Sequence, residues 1–113
     1  MHLTQLDAFA ITLAVEAIAA AGLAPAFKIE RARAALSGVS GSAFTHPVLW
    51  WAFPQVYAHL GAATTPTLEV LVMIAEAPFY RVLAKVNWTE AFLLSVLVNA
   101  ASWWMGELIY ALS

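Results

Sequence analysis

The stretch from Pro66 to Ala84, PTLEVLVMIAEAPFYRVLA, is apolar over the length of a bilayer's hydrocarbon core and carries a glutamate, Glu76, well inside it. Crossing about 30 Å of hydrocarbon takes about 20 mainly apolar residues. An ionised carboxyl at that depth costs about 2.5–3.5 kcal/mol on insertion scales, so it faces protein or water rather than lipid tails. The stretch from Leu3 to Phe27 repeats the pattern, with Glu16 near its middle. Two acid-bearing apolar stretches of this length predict an all-α integral membrane protein.

Composition agrees. The 113 residues are 63% hydrophobic and 11% charged, against about 45–50% and about 25% in a typical soluble domain. So few charges cannot coat a water-facing surface, and the length suits a single transmembrane domain spanning residues 1–113. Cysteine is absent, which excludes disulfides, thiolate metal sites and a cysteine nucleophile. A net charge of −2 with five basic residues argues against nucleic-acid binding. The motifs H-E-x-x-H and G-x-S-x-G do not occur, nor does a glycine-rich phosphate loop, so no enzymatic activity is expected.

The basic residues set a topology. Lys28, Arg31 and Arg33 form one cluster and Arg81 and Lys85 another. Short cytoplasmic loops collect such residues. Placing both clusters inside requires an even number of crossings between them, and the apolar pattern supplies two. The expectation is four transmembrane helices packed as a small bundle in a bacterial inner membrane, with both termini on the periplasmic side. The predicted helices cover about 3–27, 45–60, 66–84 and 89–112. Residues 28–44 are read as an interfacial segment and a flexible loop, because Ser37-Gly38-Val39-Ser40-Gly41-Ser42 resembles a linker. Thr45-His46-Pro47 and Thr65-Pro66 read as helix starts, and Asn87 with Glu90 as a capping box. Pro54 and Pro78 fall inside helices and predict kinks. The first helix lacks the basic residues that precede a signal peptide's apolar core, so it is expected to be retained. Trp50, Trp51, Tyr80 and Trp88 lie towards the basic side, and Tyr57 and Tyr110 towards the other, as in aromatic belts. No internal repeat is read: both halves are hairpins with a basic inner turn in parallel orientation, but they share no extended motif.

Helix faces give the candidate site. Ser95, Asn99, Ser102 and Gly106 form one stripe, and small or polar residues there allow close packing and hydrogen bonds between helices. Glu69, Met73, Glu76 and Tyr80 share a face of the third helix; Gln5, Phe9, Thr12, Glu16 and Ala19 or Ala20 share one of the first. The stripes are expected to meet in an intramembrane polar network of Glu16, Glu76, Asn99, Ser95 and Ser102, with Gly106, Ala19 and Ala20 as packing positions. If the two carboxyls are close, one is held protonated by burial and like charge, and a neutral acid donates a hydrogen bond. The network is then structural, with a proton or cation relay as the sharper alternative.

The histidines yield weaker candidates. His2, His59, Glu69 and Glu107 fall near the outer face and are metal-ligating types, but without a metal-motif spacing, so no metal site is assigned. His46, with Trp50 four residues later, is a candidate axial ligand for a pigment or haem. Its blander reading is a helix cap, and no cofactor is predicted.

Thr45-His46-Pro47-x-x-Trp50, Glu76-Ala77-x-x-Tyr80-Arg81 and Ser95-x-x-x-Asn99-x-x-Ser102-x-x-x-Gly106 together resemble a group of small, uncharacterised four-helix bacterial membrane proteins. The resemblance covers about the last two-thirds of the chain and implies fold and topology, with no assigned activity. Four helices without a soluble domain leave little room for an enclosed substrate path. The leading expectation is therefore a non-enzymatic accessory or assembly subunit of a larger photosynthetic, respiratory or transport complex. The partners are the lipid bilayer and a larger membrane protein or further copies of the chain. The alternatives are a small oligomeric proton- or cation-coupled transporter using Glu16, Glu76 and Asn99, and a pigment- or haem-binding subunit using His46.

Overall fold

Asn87 decides where the last helix begins. Its Oδ1 accepts from the Glu90 N–H at 2.8 Å, and the Asn87 N–H donates to Glu90 Oε1 at 3.3 Å, the reciprocal capping box expected from sequence. The computed structural model describes residues 5–112, without the side chains of Gln5 and Tyr110. The expected helix start near Leu3, and the calls on His2 and on the Tyr110 ring, lie outside the described residues. The chain forms α1 (Gln5–Leu23), a 3-10 turn (Ala24–Phe27), α2 (Arg31–Leu60), a 3-10 turn (Gly61–Ala63), α3 (Thr64–Leu83) and α4 (Trp88–Leu112). No strand occurs among the described residues.

Three helical stretches are long and apolar enough to cross a membrane: Leu6–Phe27, Arg31–Leu83 and Trp88–Ile109. The middle stretch is 53 residues long and reverses at Gly61, whose φ of +53° is left-handed backbone that favours glycine. Its two limbs, α2 and α3, pack against each other. α1 packs on α2 and α4, and α3 on α4, which closes a ring.

Of the interfacial segment and loop expected at 28–44, the loop is corrected. α2 starts at Arg31 and runs for 30 residues through Ser37–Ser42, Pro47 and Pro54. The run Ser-Gly-Val-Ser-Gly-Ser is a linker only in water. Away from water every backbone group needs a partner, and helix supplies it. Small residues four apart, Ser37 with Gly41 and Gly38 with Ser42, instead let α2 approach its neighbours. A Cβ on Gly38 would lie 3.1 Å from the Tyr80 hydroxyl and 3.4 Å from the Glu16 carbonyl oxygen. A Cβ on Gly41 would lie 3.2 Å from Glu76 Cγ. Ser37 returns its hydroxyl to the Arg33 carbonyl at 2.7 Å. Thr45-His46-Pro47 accordingly sits inside α2 rather than opening a helix. α3 begins at Thr64 with no side-chain cap, so Thr65-Pro66 does not cap it either.

The interior is small and the exterior large. Ala20, Ala24, Ala34, Ala77, Ala84 and Ala91 are buried with Tyr80, Leu94 and Val98, while Leu6, Ile18, Phe44, Trp51, Val82 and Leu112 are exposed. In water such a surface would be an association hazard; against lipid it is ordinary, and small interior residues allow close helix contact.

The halves share no extended sequence motif, but the structure shows a likeness of another kind. Lys28 and Lys85, 57 positions apart, both end a helical hairpin limb in the left-handed region, at φ 57° and 58°. α2 and α4 start at Arg31 and Trp88, the same spacing. Five of the six buried positions of α2, Ala34, Ser37, Gly38, Gly41 and Ser42, correspond to Ala91, Leu94, Ser95, Val98 and Asn99 of α4, each 57 residues on; the sixth, Thr45, corresponds to the half-buried Ser102. Ala20 and Ala77 are both fully buried. Gly38 approaches the Glu16 carbonyl, and Ser95 donates to the Met73 carbonyl at 2.6 Å, again equivalent pairs. The two hairpins thus share their turn backbone and the buried face of α2 and α4, whereas α1 and α3 share only Ala20 and Ala77 among their buried positions.

Candidate functional site

Three donors converge on Glu76. Asn99 Nδ2 donates to Oε1 at 2.6 Å, while the Thr45 and Ser42 hydroxyls donate to Oε2 at 2.8 and 3.3 Å. Asn99 Nδ2 also reaches the Ser95 carbonyl at 2.7 Å. The cluster ties α2, α3 and α4 together at one point inside the bundle. Gly41 is what makes room, since the Glu76 stem passes directly over it. A carboxylate with three donors in a water-poor site is a satisfied group, and hydrogen bonds to it are stronger than those between neutral partners.

Glu16 behaves differently. It is 2% exposed, yet its Oε2 has no hydrogen-bond partner among the described residues. The side chain lies on the wall of a partly open cleft of about 240 Å³. α1 contributes Thr12 and Glu16, α2 contributes Thr45, His46 and Leu49, and α3 contributes Glu69 and Val72. α4 contributes Asn99, Ser102, Trp103, Gly106 and Glu107. The cleft lies between the two hairpins. Thr12 and Glu69, Thr45 and Ser102, His46 and Trp103, and Leu49 and Gly106, all pairs 57 apart, line it. It runs from mid-bundle towards the end that carries the Gly61 turn. All five lysines and arginines lie at the opposite hairpin turns. There Arg33 donates to the Leu83 carbonyl at 3.3 Å, and Arg81 lies 5.9 Å from the Trp88 ring centroid.

The residues expected from sequence thus divide. Glu76, Asn99 and Ser95 form the network; Ser102 and Glu16 line the cleft beside it. Glu16 is the exception to the expected Glu16–Asn99–Glu76 arrangement, because the Asn99 amide is taken up by Glu76 and Ser95. Ala20 is a packing position and Ala19 is partly buried against the core. Gly106 is not a close-approach position: a Cβ there would meet nothing within 4 Å. Glu69 and Glu107 both line the cleft, while His59 is exposed at the end of α2. No group of three His, Asp or Glu among the described residues is placed to hold a metal ion. His46 sits mid-helix rather than at a cap, with the Phe9 and Trp50 rings at 5.4 and 6.1 Å and its Nδ1 buried without a partner among the described residues. The cleft it lines is below the range of about 300–1,000 Å³ usual for drug-sized ligands, so a tetrapyrrole does not fit inside.

Ser42, Thr45, Gly41 and Thr12 are the site residues missed as such. The signal was the small-x-x-x-small spacing of 37–42, masked by its likeness to a linker. Comparison of the chain with protein families, with characterised proteins and with solved structures gives no match.

Proposed function

We propose that the chain is a four-span protein of a bacterial inner membrane, with both termini periplasmic, which handles a proton or small cation in the cleft between its hairpins. One observation carries this reading: Glu16 is buried, lies on the cleft wall and has an oxygen that no described donor satisfies. A carboxyl in that position must be neutralised by a proton or by a cation, and both use the same oxygens. Exchange of one for the other is the elementary step of a coupled carrier. Glu76 is the fixed partner in this division of labour, because its acceptors are already occupied. Reconstitution into proteoliposomes tests the proposal. Glu16→Gln should abolish proton flux while leaving the elution profile unchanged, and flux indifferent to that substitution would refute it. Reporter fusions within 61–63 test the topology, and a cytoplasmic location there would overturn it.

A second reading, an accessory or assembly subunit of a larger complex, is favoured by the Glu76 network, which needs no ligand to make sense. Native purification with a stoichiometric larger partner would support it over the carrier reading.

A further inference from the structure

We propose that the cleft is a binding site for a small organic ammonium ion, with the charged head at Glu16 and the alkyl body against Leu49, Val72 and Trp103. The proposal rests on the cation-handling reading above and names the class of cation.

Charge is the first argument. Glu16, Glu69 and Glu107 all line the cleft, and no lysine or arginine does. Acidic residues alone would not make a site. Here the innermost carboxyl is 2% exposed, belongs to a residue that lines the cleft and has Oε2 buried without a partner among the described residues. His46 Nδ1 is a second buried atom in the same condition.

The walls select among cations. A divalent metal needs several oxygen or nitrogen ligands converging on one point, and no such group exists among the described residues. The cleft is instead amphipathic, with an acid at its inner end, aliphatic walls and an indole. An ammonium head pairs with a carboxylate, and its alkyl carbons match Leu49 and Val72. Size sets the upper limit. At about 30 Å³ per water, the volume of about 240 Å³ holds the equivalent of about eight waters. That accommodates an amine of a few carbons and excludes a polycyclic one.

The test uses the full chain in lipid nanodiscs and n-butylammonium as probe, read by titration calorimetry. Saturable binding of one ion per chain is expected, weakened at least tenfold by Glu16→Gln and unchanged by Glu30→Gln, an exposed acid at the basic end. Pentan-1-ol, a neutral molecule of similar shape, should bind at least tenfold more weakly than n-butylammonium. Equal affinity for the two, or affinity unaffected by Glu16→Gln, overturns the proposal. If Glu16→Gln fails to fold, Glu69→Gln and Trp103→Ala at the cleft mouth replace it, and unchanged affinity in both is the refuting result. Glu16-dependent proton flux without n-butylammonium binding removes the ammonium proposal and leaves proton handling standing. Loss of both removes both.

Discussion

Replacing Glu76 by methionine keeps an unbranched stem over Gly41 and removes both carboxyl oxygens. The choice matters, because Glu76 Cγ lies 3.2 Å from where a Gly41 Cβ would be, and a side chain branched at Cγ would add a clash of its own. Three hydrogen bonds go, from Asn99, Thr45 and Ser42. Interhelical hydrogen bonds in membranes average about 0.6 kcal/mol each and reach about 1.7. Two of these three are short and join buried partners, so the sum comes to about 2–3 kcal/mol. The cost of placing a carboxyl in hydrocarbon does not offset this when unfolding leaves the helices inserted, since both states then carry it. Glu76→Gln is the matched control. Its oxygen still accepts from Asn99, and its amide donates to the Ser42 and Thr45 hydroxyls, which can turn to accept. Its loss should stay under about 1 kcal/mol. Unfolding equilibria in mixed micelles measure both. A Glu76→Met variant within 0.5 kcal/mol of the parent would refute the network as a source of stability. Equal losses for Gln and Met would show that ionic charge, rather than hydrogen bonding, holds the contact.

Further outcomes follow from the glycines and the hairpin turns. Gly41→Ala should lose about 1 kcal/mol by unfolding titration, because overpacking against Glu76 costs more than the roughly 1 kcal/mol gained in helix propensity. Gly106→Ala should gain up to about 1 kcal/mol in the same assay, since its Cβ meets nothing and only the propensity term remains. Lys85→Gly should raise Tm, because a side chain in left-handed backbone costs about 1–2 kcal/mol, which glycine avoids.

The fold class and the inward faces were legible because they depend on periodicity and on the rarity of acids in apolar stretches. Asn99, Ser95 and Glu76 were found that way. The α4 start was legible because Asn87 and Glu90 bond each other locally. Ser37–Ser42 was misread because its composition is ambiguous between linker and helix seam, and only the partner helices decide. Helix faces and depth together assign Glu16 to Asn99, whereas the amide of Asn99 is consumed by Glu76 and Ser95, a competition that needs distances to see. The repeat was invisible for a related reason. What the halves share is which positions are buried, and pairs such as Gly38 with Ser95 or Gly41 with Val98 preserve place without preserving residue type.

That repeat separates scaffold from site. Where the halves agree, as at Ala20 and Ala77, Ala34 and Ala91, or Lys28 and Lys85, the positions pack helices or close hairpins. Glu16 against Met73, Ala19 against Glu76, Thr12 against Glu69 and His46 against Trp103 differ in polarity, and each pair has a member in the cleft or the network; Ala24 against Arg81 and Arg33 against Glu90 differ as much and lie at the basic hairpin turns. A methionine is thus already accommodated at the place equivalent to Glu16 in the second hairpin. Glu16→Met should fold for that reason. It also removes a buried carboxyl oxygen that the folded chain leaves without a described donor, a cost of about 1–3 kcal/mol that separated helices need not carry, so stability should rise or hold while proton flux and n-butylammonium binding disappear. A gain in stability with loss of activity is the signature of a site held against the preference of its scaffold. A Glu16→Met chain that fails to assemble would place Glu16 among the structural groups with Glu76, and would withdraw the argument that the departures from the repeat at the cleft mark function.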